Sequence, residues 1–143
     1  WFFLILPPAV PEALIASRPV RCRRSVMGKR HAGLAAFAPE ALAEYERCVQ
    51  IAGSAQSICE DYRASAGIDL QHDREGRARG DKVACDIHVL WGERGVVNKL
   101  FKPLDLWQAQ CAGHVTGQAV AAGHFIPEEL HAQTAQALDG FFR

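Results

Sequence analysis

The order of periodicities along the chain predicts an α/β fold, helices first and then strand, helix, strand, helix. Three stretches carry that expectation. Ala38-Pro39-Glu40 opens a helix that sets Leu42, Tyr45 and Val49 on one face. Val83 to Trp91 and Val115 to Ala121 are short apolar runs that read as strands. Gly123 then permits a turn, and Pro127-Glu128-Glu129 starts a helix with proline at its first position and acids in its first turn.

The remaining elements follow in order. After Pro7, Pro8 and Pro11, residues Glu12 to Ala16 fit a short helix, and residues 17–37 have no clean period and read as loop and short helix. Gly53 ends the helix that begins at Ala38. Ser57 to Glu60 fits a capping box, with Ile58, Cys59 and Tyr62 sharing a helical face. The polar stretch Gln71 to Lys82 reads as a solvated connector and the domain boundary, separating a helical domain (1–77) from an α/β domain (78–143). Beyond the first strand come Gly92 and a loop, then a helix from Pro103 to Ala112 presenting Leu104, Trp107 and Cys111, and a closing helix with Leu130, Thr134, Leu138 and Phe141. Trp91 and Trp107 read as core. Two strands cannot bury both faces of a parallel sheet, so the second half reads as part of a larger sheet and the first half as a lid upon it.

Bulk composition excludes several classes. Sixteen basic and sixteen acidic residues cancel, leaving no overall field to attract nucleic acid or an anionic membrane. Arg18, Arg21, Arg23, Arg24, Lys29 and Arg30 form a basic cluster without interleaved aromatics, which reads as a solvated face. Cys22, Cys48, Cys59, Cys85 and Cys111 are scattered and odd in number, without metal-ligand spacing, so the expectation is reduced thiols, no zinc site and a cytoplasmic protein. The six apolar residues from Trp1 to Leu6 are too few for a membrane span and lack the flanks of a signal peptide. With no initiator methionine, the chain reads as a fragment cut within a structured element.

One residue stands out chemically. His124 lies between a strand and a helix, and an imidazole titrates near neutral pH, so it is suited to general-base work. The same local pattern also fits a hydrogen-bonded loop histidine.

Four longer stretches narrow the choice: Cys59-Glu60-Asp61-Tyr62-Arg63-Ala64, Val89-Leu90-Trp91-Gly92, Pro103-Leu104-Asp105-Leu106-Trp107 and Gly123-His124-Phe125-Ile126-Pro127-Glu128-Glu129. Together with the opening Trp1-Phe2-Phe3-Leu4 they resemble the fluoroacetate (haloacetate) dehalogenases, in order and over essentially the whole chain. The resemblance implies an α/β-hydrolase fold, of which this chain would be the C-terminal part: a helical cap segment followed by the last two core strands and their helices. It implies an aspartate nucleophile, a histidine base and an acid partnering the histidine. The carboxylate displaces halide from the α-carbon of a haloacetate, and histidine activates water against the resulting ester.

By position, His124 matches the base. Tyr62 matches a cap tyrosine whose hydroxyl, like the indole N–H of Trp1, would donate to the departing halide; on the residues alone both read as packed aromatics. The resemblance implies a haloacid substrate, no cofactor, and a full-length protein that forms homodimers. It places the nucleophile, the carboxylate-gripping arginines, a cap histidine and the acid upstream of Trp1, so that this chain alone would be inactive. Glu93-Arg94-Gly95, after the first core strand, offers no aspartate at the spacing many α/β hydrolases use. Ser17 to Arg24 departs from the family, which tends to have an acidic, aromatic-bearing segment there. Two alternatives remain, an epoxide hydrolase sharing the fold and base, and a non-enzymatic interaction fragment.

Overall fold

In the computed structural model the described residues are 2–29 and 32–143. They fall into two compact units: residues up to Met27 with Ala38–Gly80, and Gly28–Phe37 with Asp81–Arg143.

The first unit is helical. It contains α1 (Val10–Ser17), α2 (Pro19–Met27), α3 (Pro39–Val49), α4 (Ser54–Ala66) and α5 (Ile68–Arg79). Proline stands in the first turn of α1 and opens α2 and α3, where its missing N–H would have had no helical partner. The buried side chains are Pro11 and Ile15 from α1, Met27 from α2, Val49 from α3 and Cys59 from α4. Arg63 fastens α4 to the start of the chain: its Nε donates to the Leu6 carbonyl at 3.0 Å, and its guanidinium pairs with Glu60 at 2.7 Å and with Glu12. The Ala9 N–H donates to the same Glu12 carboxylate at 2.9 Å, which holds Ala9 at a left-handed φ of 98° that alanine otherwise avoids. The basic run of α2 is partly engaged, with Arg24 Nε 2.5 Å from Glu46 and Arg23 lying 5.2 Å over the Tyr45 ring.

Two expectations for this unit change. Residues 71–79 are not a connector but the body of α5, which ends at Gly80 with a φ of 80°. That segment is rich in helix formers, and Gln71 with Glu75 (2.8 Å) and Arg77 with Asp73 (3.9 Å) are paired at i,i+4, so a helix polar on every side still forms. Ser57 does not cap α4, because the turn at Gly53 (φ 88°) starts that helix at Ser54.

The second unit is built on two parallel strands, β1 (Ile87–Gly92) and β2 (Val115–Val120), in register from Ile87 opposite Val115 to Gly92 opposite Val120. Between them run α6 (Val96–Leu100) and α7 (Pro103–Gln110), and after them α8 (Ile126–Glu129) and α9 (His131–Phe141). A 3-10 turn at Gly33–Ala36 belongs to this unit as well. Its buried apolar side chains, among the described residues, are Phe37, Pro103, Cys111, Val120 and Ala122.

β1 is shorter than the expected Val83–Trp91 strand. Val83 makes an isolated bridge with Cys111, and at Asp86 the side chain rather than the backbone takes the His114 N–H, at 2.8 Å, which interrupts the ladder. The loop expected after Gly92 contains α6, α7 stops at Gln110, and Leu130, with a φ of −137°, divides the expected closing helix into α8 and α9. Ile126 rather than Pro127 is the first residue of α8. Trp91 is half-buried, with its indole N–H on Asn98 Oδ1 at 2.8 Å. Trp107, expected in the core, is exposed, as is Leu106 before it on α7.

Gly117 shows how closely the strands approach. Its φ is 149°, and a Cβ there would lie 2.0 Å from the Val89 carbonyl oxygen. Gly117→Ala should therefore destabilise the chain by about 2 kcal/mol or more. At Gly140, inside α9, a Cβ meets nothing within 4 Å, and alanine should stabilise by roughly 0.5–1 kcal/mol. Chemical denaturation midpoints of the two variants check this; shifts of the same sign would contradict it.

Candidate functional site

The carboxyl ends of the two strands converge at the loop that carries His124. Glu93 N–H donates to the Val120 carbonyl at 2.9 Å and Arg94 N–H to that of Ala122 at 3.1 Å. A Cβ on Gly92 would lie 1.9 Å from the Gly123 carbonyl oxygen and 2.8 Å from that of Ala122, so only glycine lets these backbones meet. Ala122 and Gly123 are buried and His124 is exposed. In parallel α/β sheets this end of the strands is where ligands bind.

Glu129, in the last position of α8, holds the loop. Its Oε2 accepts the Gly123 N–H at 2.8 Å and its Oε1 the Phe125 N–H at 3.3 Å, so the residues on either side of His124 donate to one carboxylate. Arg94 adds a third partner: Nη2 lies 3.4 Å from Glu129 Oε2 and donates to the Ala121 carbonyl at 2.9 Å. Burial works to raise the Glu129 carboxyl pKa. The two backbone N–H groups and the Arg94 guanidinium outweigh it and hold the group below its ordinary value.

The imidazole itself is steadied by rings. His124 meets Phe125 edge-to-face, with centroids 5.0 Å apart, and Phe125 meets the buried Phe37 in the same manner at 5.0 Å. His124 opens on a cavity of about 570 Å³ lined also by Lys29, Arg94, Gly95, Val96, Lys99 and Leu100. No described residue hydrogen-bonds the His124 ring. An exposed imidazole on a fixed loop can accept a proton from water.

His88 is a different kind of histidine. It stands at the other end of β1, where its Nδ1 lies 2.9 Å from Thr116 Oγ1 and its ring stacks on Phe141 with centroids 5.5 Å apart.

Of the residues expected in the site, Tyr62 is half-buried on α4 in the first unit and His124 stands in the second. Trp1 lies outside the described residues. Among the described residues no group of three or more His, Cys, Asp or Glu could hold a metal ion, and no helix is long and apolar enough to cross a membrane. Glu129 and Arg94 were missed as site residues. Glu129 read only as an acid in a helix's first turn, and the strand end at Arg94 was searched for an acid when what it supplies is a cation. The available signal was an acid five residues beyond a Gly-His pair.

Because the Glu129 carboxyl is held below its ordinary value of 4.5, its contribution is complete above that pH and is lost as the pH falls through the lower folded value. Hydrogen-exchange protection at the Gly123 and Phe125 amides should accordingly drop on acidification before that of the β1–β2 ladder. Protection at both amides unchanged down to about pH 2 would contradict this.

No protein-family model matches the chain. A fluoroacetate dehalogenase from Burkholderia sp is 29% identical over 142 residues, which are 99% of this chain and 46% of that protein. A solved structure from Nostoc sp PCC 7120, assigned to the α/β hydrolases, superposes with a TM-score of 0.90 at 40% identity, over 99% of this chain and 48% of the other. Another from Pseudomonas aeruginosa, assigned as an epoxide hydrolase, gives 0.89 at 32% identity, over 99% and 47%. The chain thus spans a little under half the length of the proteins it matches. Its fold is that of the α/β hydrolases, represented by a helical unit and a unit of two parallel strands with their helices.

Proposed function

We propose that this chain contributes the histidine base to a hydrolase that cleaves the carbon–halogen bond of haloacetates. The observation that carries the reading is His124 itself, an exposed imidazole at the carboxyl end of β2 on a loop fixed from both sides. The likeness to the Burkholderia fluoroacetate dehalogenase over nearly the whole chain supports the choice of substrate class.

In this reading an aspartate from outside the segment attacks the α-carbon of the haloacetate. Its oxygen forms the new C–O bond as the carbon–halogen bond breaks and halide leaves with the electron pair. His124 then takes a proton from water as the water oxygen attacks the ester carbonyl, releasing glycolate and restoring the aspartate. The Tyr62 hydroxyl, with the Trp1 indole, donates to the departing halide, and such donors matter most for fluoride, whose charge is the most localised. No cofactor is required. The protein acts on a small haloacid in the cytoplasm, and as a homodimer in its full-length form. The segment alone lacks a nucleophile and releases no halide.

A second reading is favoured by one observation, the 32% identity to the Pseudomonas aeruginosa structure assigned as an epoxide hydrolase. There the same base would serve, and tyrosine would protonate an epoxide oxygen.

His124→Asn in the protein that carries this segment tests the assignment. Attack by a free carboxylate needs no base, so halide release should proceed for about one turnover and then stall, leaving a glycolyl ester visible by intact mass. Sustained multiple turnover by the variant would overturn the reading.

A further inference from the structure

We propose that Glu129 is a positioning residue for His124, a carboxylate clamp whose function is to fix the backbone of the base from both sides. The inference rests on the reading of His124 as the base and adds a residue that acts through it.

The bonding pattern distinguishes a clamp from an ordinary helix cap. A carboxylate reaching back to its own helix start needs only the N–H of the residue before the first turn, here Phe125. Glu129 reaches further. Its shorter bond, 2.8 Å, passes beyond His124 to the Gly123 N–H. The peptide group that joins Ala122 to Gly123 and the one that joins His124 to Phe125 therefore share one anchor, and the φ and ψ of Gly123 and His124, which lie between them, can no longer drift independently. The anchor is itself tied down from another element, since Arg94, just past the end of β1, bonds both Glu129 and the Ala121 carbonyl. With a side chain only 6% exposed, Glu129 has little freedom to trade these partners for water. Glu128, beside it on α8, makes neither backbone bond and serves as the control.

The experiment uses the protein that carries this segment, with amide exchange and the His124 ring signals read by NMR in wild type, Glu129→Gln and Glu128→Gln. Glutamine keeps the shape but turns an NH2 toward one of the two donors. In Glu129→Gln the Gly123 and Phe125 amides should exchange about tenfold faster, the His124 ring signals should shift and average, and the amides of Thr116 and Gln118 should hold. Glu128→Gln should change none of these. Should Glu129→Gln fail to fold, Arg94→Met, which leaves the carboxylate in place, must quicken the same two amides. Unchanged exchange at Gly123 and Phe125 would overturn the clamp, and so would quickening spread evenly over β1 and β2 or quickened amides with unmoved His124 ring signals. Failure of the His124→Asn turnover experiment leaves these readouts intact, so the two ideas fail separately.

Discussion

A single carboxylate organises the end of the sheet in the second unit. Two N–H groups that no ladder satisfies, those of Gly123 and Phe125, would be costly if left unpaired near a buried strand end, and Glu129 accepts both. Hydrogen bonds to a charged acceptor are among the stronger ones a protein makes, and the Gly123 and Phe125 N–H groups, with Arg94 at 3.4 Å, favour the charged form of that acceptor. The exposed face of His124 is what this arrangement leaves over: its backbone neighbours are held, and its ring projects into the cavity.

The clamp depends on close backbone approach. Gly92 lets the end of β1 run against the backbone of the His124 loop with no side chain between them, which brings Arg94 within reach of both Ala121 and Glu129. Gly117 does the same one layer down, opposite Val89. Small residues at these places set the distance at which a charged pair and a loop can be stitched together, so packing geometry and site chemistry are consequences of the same residues.

Much of this was legible in the sequence because the signals were local. The β2 run and the acidic helix start placed His124 between strand and helix, and the parallel pair follows from the helical segment between the strands. The signals failed where tertiary partners decide. Residues 71–79 look like a linker by polarity, yet their charge pairs and helix formers make α5. Asp86 cuts the first strand short by using its side chain on His114, which no periodicity reveals. Glu129 and Arg94 lie 35 residues apart and meet only through the strand register, so neither could be recognised as part of the site from its own neighbourhood.

The chemistry proposed for the base depends on what it is given to deprotonate water against, an ester left by halide displacement or one left by epoxide opening. Fluoroacetate and an aryl epoxide offered separately to the protein that carries this segment, with fluoride, glycolate and diol quantified, decide between them. The haloacetate reading requires fluoride and glycolate in equal amounts and no diol. Diol formation without fluoride release would contradict it.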